Sequence, residues 1–435
     1  MATLTYDAIC YERAGMENLG QNLPFWTVSF FILLLLCIAI FPLIHRRFWE
    51  SNRNKAIVSA VFSLPVVILF CHYHHLRPLI HEIKEYFSFI ILLASLFLIS
   101  GGIFVSGDIE ATPRNNTIFL AIGGVIANIF GTTGAAMLLI RPVLRTNRKR
   151  RFRAHIPIFF IFIVCNIGGC LTPIGDPPLF IGYLRGVPFF WTLRLFPQWI
   201  FMMAVLLIVF YSIDFHFAKR ESAQGIKLDK KMAAPVSLRG KRNLLFIIGV
   251  LLSVMLFDAP IREVVMIGLA IFSLISTPKD IHERNSFSYA PIVEVAILFA
   301  GIFITMVPAL LILKARAAEF GVLLPWHFFW ITGGLSSFLD NIPTYATLLS
   351  FAQGLSRATG LPKEIVGIPI KYLEAISVGA VFMGANSYIG NGPNFMVKAI
   401  CEHRRVNIPS FFGYMLWSCG ILIPLFLIAT FLFFV

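Results

Sequence analysis

The chain has 435 residues, 58% of them hydrophobic and only 13% charged, which is more apolar side chain than a water-soluble core buries. Its net charge of +14 is spread over short loops between apolar runs, so it marks orientation in a membrane rather than a nucleic-acid surface. The seven cysteines form no CxxC pair and indicate neither a disulfide framework nor a zinc site.

Met1–Pro24 lacks a basic start and is mildly acidic, so it reads as an external tail and not a cleaved signal. Phe25–Ile44 is the first near-uncharged run of spanning length, about 20 residues. It does not alternate polar and apolar residues as a barrel strand does. Running inward, it delivers the basic His45–Lys55 to the cytoplasm. Ala56–Phe70 then returns outward and Phe87–Val105 comes back in. If Thr117–Ile140 crossed next, the strongly basic Arg141–Arg153 would lie outside, against the positive-inside rule. The interruption Gly131-Thr132-Thr133-Gly134 therefore reads as the tip of a re-entrant hairpin, tolerated at membrane depth only where protein or a cavity surrounds it. Ala154–Gly186 crosses outward, broken by the glycines, prolines and aspartate of Asn166–Phe180, and Pro188–Ile213 returns to a basic cytoplasmic linker, Asp214–Arg242.

The second half repeats this plan inverted. Asn243–Phe257, Ile261–Ser276 and Ile292–Leu313 are spans, Trp326–Arg357 is a hairpin entered from the opposite face, Lys363–Ile400 is a broken span and Ser410–Val435 ends outside. The expectation is an all-α polytopic membrane protein with five spans plus one hairpin in each of Phe25–Ile213 and Asn243–Val435. Self-similarity supports it: GGVIANIFGTTGAAMLL from Gly123 aligns without gaps to GGLSSFLDNIPTYATLL from Gly333, and Ile174-Gly175-Asp176-Pro177-Pro178 to Ile389-Gly390-Asn391-Gly392-Pro393. Inverted repeats with discontinuous helices are a build of secondary transporters, whose sites lie at the breaks.

The polar residues at the interruptions are Asn128, Thr132 and Thr133; Asn166, Thr172 and Asp176; Asp340, Asn341 and Thr344; and Asn386, Ser387, Asn391 and Asn394. Nearly all carry oxygen, and these motifs hold no Lys or Arg, a set that favours a small cation or a proton. A carboxylate at membrane depth costs on the order of 3 kcal/mol, which directs attention to Asp176 and Asp340. Each also has a plainer reading, as the cap of a half-helix beginning at Pro177 or of a hairpin tip at Asn341-Ile342-Pro343. Glu294 reads as an interfacial or capping residue, Asp108 and Glu110 as loop residues, and His72, His74 and His75 as an interfacial cluster.

Asn166–Asp176 (N-x-G-G-x-x-T-P-I-G-D) and Ser337–Thr344 (S-x-L-D-N-I-P-T) resemble the signature segments of D-type sodium/proton antiporters in the ion transporter superfamily, which also holds citrate, dicarboxylate and arsenite carriers. GTTGAAMLLIRP and YIGNGPNFMVKA are similar to a bacterial branch assigned to citrate or sodium/proton transport. The resemblance, over about Phe87–Ile400, implies a scaffold and a mobile transport domain, elevator-like movement and a homodimer. The first hairpin differs from those antiporters in carrying Gly131-Thr132-Thr133-Gly134 where an Asp-Asn pair is usual. The leading expectation is a sodium/proton antiporter of the bacterial inner membrane with no cofactor, in which Na⁺ (or Li⁺) and H⁺ compete for Asp340 or Asp176 with help from Thr132 and Thr133. The alternative is a cation-coupled citrate or dicarboxylate symporter, which needs room for a larger ligand. An intramembrane enzyme lacks support, since there is no HExxH or GxSxG motif.

Overall fold

The computed structural model describes residues 19–222, 229–231, 234–285, 287–321 and 323–435. Residues 1–18 of the expected tail, and 223–228 and 232–233 of the expected linker, lie outside the described residues. In chain order the helices are α1 Ser29–Ile44, α2 Asn52–His72, α3 Arg77–Gly101, α4 Pro113–Thr146, α5 His155–Ile163, α6 Pro177–Leu184, α7 Phe196–Ala218, α8 Arg242–Leu256, α9 Ile261–Ser276, α10 Lys279–Arg284, α11 Ala290–Thr305, α12 Val307–Ala315, α13 Pro325–Phe338, α14 Asn341–Thr359, α15 Ile370–Met383, α16 Gly392–His403 and α17 Phe411–Phe433. Among the described residues, seven helical stretches are long and apolar enough to cross a bilayer. The protein is a polytopic, helical membrane protein, and its outer surface shows the solvent it faces. Ile57, Val61, Leu64 and Ile68 recur at helical spacing on α2 and all are exposed, as suits lipid and not water.

Length alone would make α4 a span, but its ends meet. Asn116 and Asn147 exchange side-chain amide hydrogen bonds of 3.0 and 2.9 Å, whereas a straight helix would hold them roughly 46 Å apart. The chain turns back at Gly131, whose φ of 70° and ψ of 156° lie where only glycine sits without strain. The α13–α14 pair doubles back likewise at Leu339-Asp340, so that the Phe328 and Phe351 rings meet with centroids 5.7 Å apart, against roughly 34 Å along a straight helix. The start of α14 is fixed by Asp340, which accepts from the Ile342 amide at 3.0 Å.

Two further stretches are interrupted. After α5, which is buried all round, a short 3-10 turn at Ile167–Leu171 and irregular backbone lead to α6. The paired glycines there reflect close approach: a Cβ on Gly168 would lie 2.6 Å from the Gly124 Cα of α4. A matching turn, Gly384–Asn386, separates α15 from α16. The halves interlock, because α4 packs on α16 while α14 packs on α6.

Two departures from the sequence reading concern the segment between the halves. Phe104–Asp108 (β1) pairs antiparallel with Ala234–Arg239 (β2), Phe104 opposite Arg239 and Ser106 opposite Ser237, so a small ribbon accompanies the helices and Asp108 lies at a strand end. And α7 runs on to Ala218 past the expected linker start, because Asp214 is fully buried, 2.6 Å from Arg150 and 2.8 Å from His155, with Asn116 donating at 2.9 Å.

Candidate substrate and ion site

Both hairpin tips and both breaks converge on Asp176. The backbone at the α6 start is extended, and the Asp176 side chain makes no bond to its own helix. Instead one oxygen accepts from Thr132 Oγ1 at 2.8 Å and Asn391 Nδ2 at 3.1 Å, and the other from Asn341 Nδ2 at 2.8 Å. Thr132 is at the α4 tip, Asn341 at the α14 tip and Asn391 at the start of α16, and the Thr132 amide also donates to the Gly175 carbonyl at 2.8 Å. The capping alternative therefore fails for Asp176 and holds for Asp340. Asp176 is completely buried, and among the described residues no Lys, Arg or His pairs with it. Asn341 Oδ1 beside it is buried without a hydrogen-bond partner, an uncommon state that leaves an oxygen free for a cation.

Asparagines extend the junction between the breaks. Asn391 donates to Cys165 O at 3.0 Å and Asn166 Oδ1 at 3.2 Å. Asn166 donates to Asn394 Oδ1 at 2.8 Å, and Asn394 to the carbonyls of Gly384 and Ser387 at 2.8 and 2.9 Å. Other expected site residues brace the elements. Asn128 accepts from the Leu171 amide at 2.8 Å while Thr172 donates to the Asn128 carbonyl at 2.5 Å, tying α4 to the first break. Asn386 and Ser387 bond Ser337 Oγ and O at 2.9 and 2.5 Å, tying the second break to α13. Thr344 returns its hydroxyl to the Asp340 carbonyl at 3.0 Å.

A cavity of about 80 Å³ lies over the tips, walled by Thr133, Asp340, Asn341 and Asn391 with Phe89 and Phe299. It shares Asp340, Asn391, Gly392 and Met396 with a vestibule of about 780 Å³, so the two adjoin across these residues. The vestibule wall carries Arg141, Lys398, His403 and Arg404, and also Glu294, which is held by Lys55 at 2.7 Å. These basic groups escaped the sequence reading. Arg141 was absorbed into an orientation signal, and the seven-residue step from Asn391 to Lys398, two helical turns, was the available clue.

A family model described as "Putative citrate transport" matches residues 20–434. The chain belongs to that family. No curated protein matches the chain. Membership in the citrate-transport family supports a secondary transporter, and the arrangement just described gives it an enclosed carboxylate, unspent oxygen and a roomy basic approach.

Proposed function

We propose that this protein is a bacterial inner-membrane symporter that carries a small polycarboxylate of the citrate class together with Na⁺ or H⁺. The observation that carries the reading is the basic vestibule. Small-molecule pockets run about 300–1,000 Å³, and about 780 Å³ lined by Arg141, Lys398, His403 and Arg404 fits a polyanion, while a bare cation needs only a coordination shell. Arginine and lysine draw the anion in, and the positive end of α16, whose first residue Gly392 lines both cavities, receives its carboxylates. The cation sits between Asp176, Thr132 and the free Asn341 oxygen and lowers the cost of bringing several negative charges into a poorly solvated site.

In this reading the doubled-back α4 and α13–α14 are re-entrant hairpins entered from opposite faces, and Phe25–Ile213 and Asn243–Val435 are inverted repeats joined by Asp214–Arg242. The support is the matched pattern of a hairpin and a break in each half, with Asp176 and Asn391 at corresponding cap positions and neither capping its own helix. The hairpins and breaks move together against a scaffold, in a homodimer.

Labelled citrate uptake into proteoliposomes tests the function. Uptake is expected to rise under an inward Na⁺ or H⁺ gradient, with Lys398→Gln raising KM about tenfold, the scale of one charge-assisted contact. No uptake above empty liposomes would sink the reading.

Sodium/proton exchange is the second reading, favoured by the burial of Asp176 with no Lys, Arg or His paired to it among the described residues. It calls for a pH-sensitive dye inside the vesicles to respond to Na⁺ or Li⁺ with no carboxylate present.

A further inference from the structure

Away from the transport junction, a second basic cavity of about 400 Å³ opens between the segment before α5, the end of α7 and the α16–α17 loop. Arg150, Arg151, Arg153, Arg405, His155 and Trp417 line it, with Phe217 at its base stacked between His155 and Phe152 at 4.9 and 5.7 Å. We propose that this pocket binds the phosphate headgroup of an anionic phospholipid in the cytoplasmic leaflet.

The charges do not close within the protein. Asp214 takes Arg150 at 2.6 Å and His155 at 2.8 Å. Glu221 accepts from the Arg151 and Phe152 amides at 3.1 and 2.9 Å and stands 3.8 Å from Arg150 Nε. Both acids are thereby spent on Arg150, His155 and backbone. Among the described residues no carboxylate pairs with the side chains of Arg151, Arg153 or Arg405, and Arg153 donates only to the Arg148 carbonyl, at 2.9 Å. Three guanidinium groups around one cavity repel one another unless an anion joins them, and a phosphate matches their planar donors. Arg150, paired with Asp214 and Glu221, is the buried floor of this basic cluster. Arg405 is held at the rim by a left-handed backbone, φ 53°, which a residue with a Cβ adopts at a cost of roughly 1–2 kcal/mol.

The surroundings select a lipid over a free phosphate. Trp417 is the type of side chain that settles at the membrane–water boundary. Phe412 and Leu416 on the same helix are 76% and 77% exposed, so the helix that carries Trp417 also offers apolar surface to acyl chains. Basic pockets between helices on the cytoplasmic side are where anionic headgroups dock.

Native mass spectrometry of the full-length protein in neutral detergent, with phosphatidylglycerol and phosphatidylcholine added in equal amounts, reads this out. Wild type is expected to retain phosphatidylglycerol preferentially. Arg151→Gln/Arg405→Gln, at two exposed positions, is expected to lose about fivefold in retention per arginine with no change in the melting temperature of the lipid-free protein. Asn407→Asp on the rim removes no arginine, and its added charge is expected to weaken retention as well. Equal retention by wild type and both variants would overturn the proposal. Displacement of the lipid by excess inorganic phosphate would reassign the pocket to a free anion and overturn the lipid assignment.

Discussion

Asp176 occupies a helix-cap position without capping, and Asp340 caps while bordering the cavity; the sequence favours Asp340, whose aligned partner in the first hairpin is Phe130, whereas the geometry favours Asp176. Asp176→Asn keeps the size of the side chain and removes the charge, so on the proposed mechanism cation coupling falls by at least the roughly 10–100-fold typical when a metal site loses a supporting group. Asp340→Asn retains a good cap, since Asn and Asp rank alike there, and is expected to leave stability unchanged and reduce uptake less. Gradient-driven citrate uptake, normalised to membrane expression, checks both. If Asp176→Asn transports like wild type, the carboxylate has no part in coupling. Asp176 and Asn391 were legible because proline or glycine in an apolar run marks a break and the two breaks share a pattern. Arg141 and Lys398 were not, because a vestibule exists only once α4, α11 and α16 are assembled around it.

At the scale of elements, apolar runs located the helices, and the basic flank of Thr117–Ile140 together with Gly131 led to a doubled-back segment where length favoured a span. Charge misled at Asp214, which reads as a linker residue until Arg150, His155 and Asn116 are brought around it. The β1–β2 ribbon was illegible for a related reason: its pairing links positions far apart in sequence, and neither strand has a buried alternating face to declare it. A further feature visible only after folding is Arg185, just past α6. It donates to Glu82 and Glu85 of α3 at 3.0 Å and reaches the Ala346 carbonyl and Ser350 of α14 at 3.4 Å. Arg185→Gln leaves buried Glu82 without its cation and Glu85 with His81 alone, at 3.1 Å, and is expected to cost about 3–5 kcal/mol, seen as a lower melting temperature in detergent. Adding Glu82→Gln and Glu85→Gln should recover much of it. An unchanged melt for Arg185→Gln would mean that the cluster is not a structural tie.

For the whole molecule, composition settled the membrane class because lipid tolerates the exposed Ile and Leu stripes that water does not. The cargo was harder to read. A buried carboxylate among hydroxyls and amides serves a cation equally well in exchange and in symport, and only the size and charge of the space leading to it distinguish them. That space, with four basic side chains and a wall shared with the cavity over the tips, favours a polyanion accompanied by a cation. The two schemes differ in what must move together. Labelled citrate, labelled Na⁺ and internal pH followed in the same proteoliposomes test this most directly: citrate entry is expected to require and accompany inward Na⁺ or H⁺ movement, with neither ion flux rising when citrate is absent. Na⁺-driven proton efflux that proceeds at full rate without any carboxylate would contradict the account.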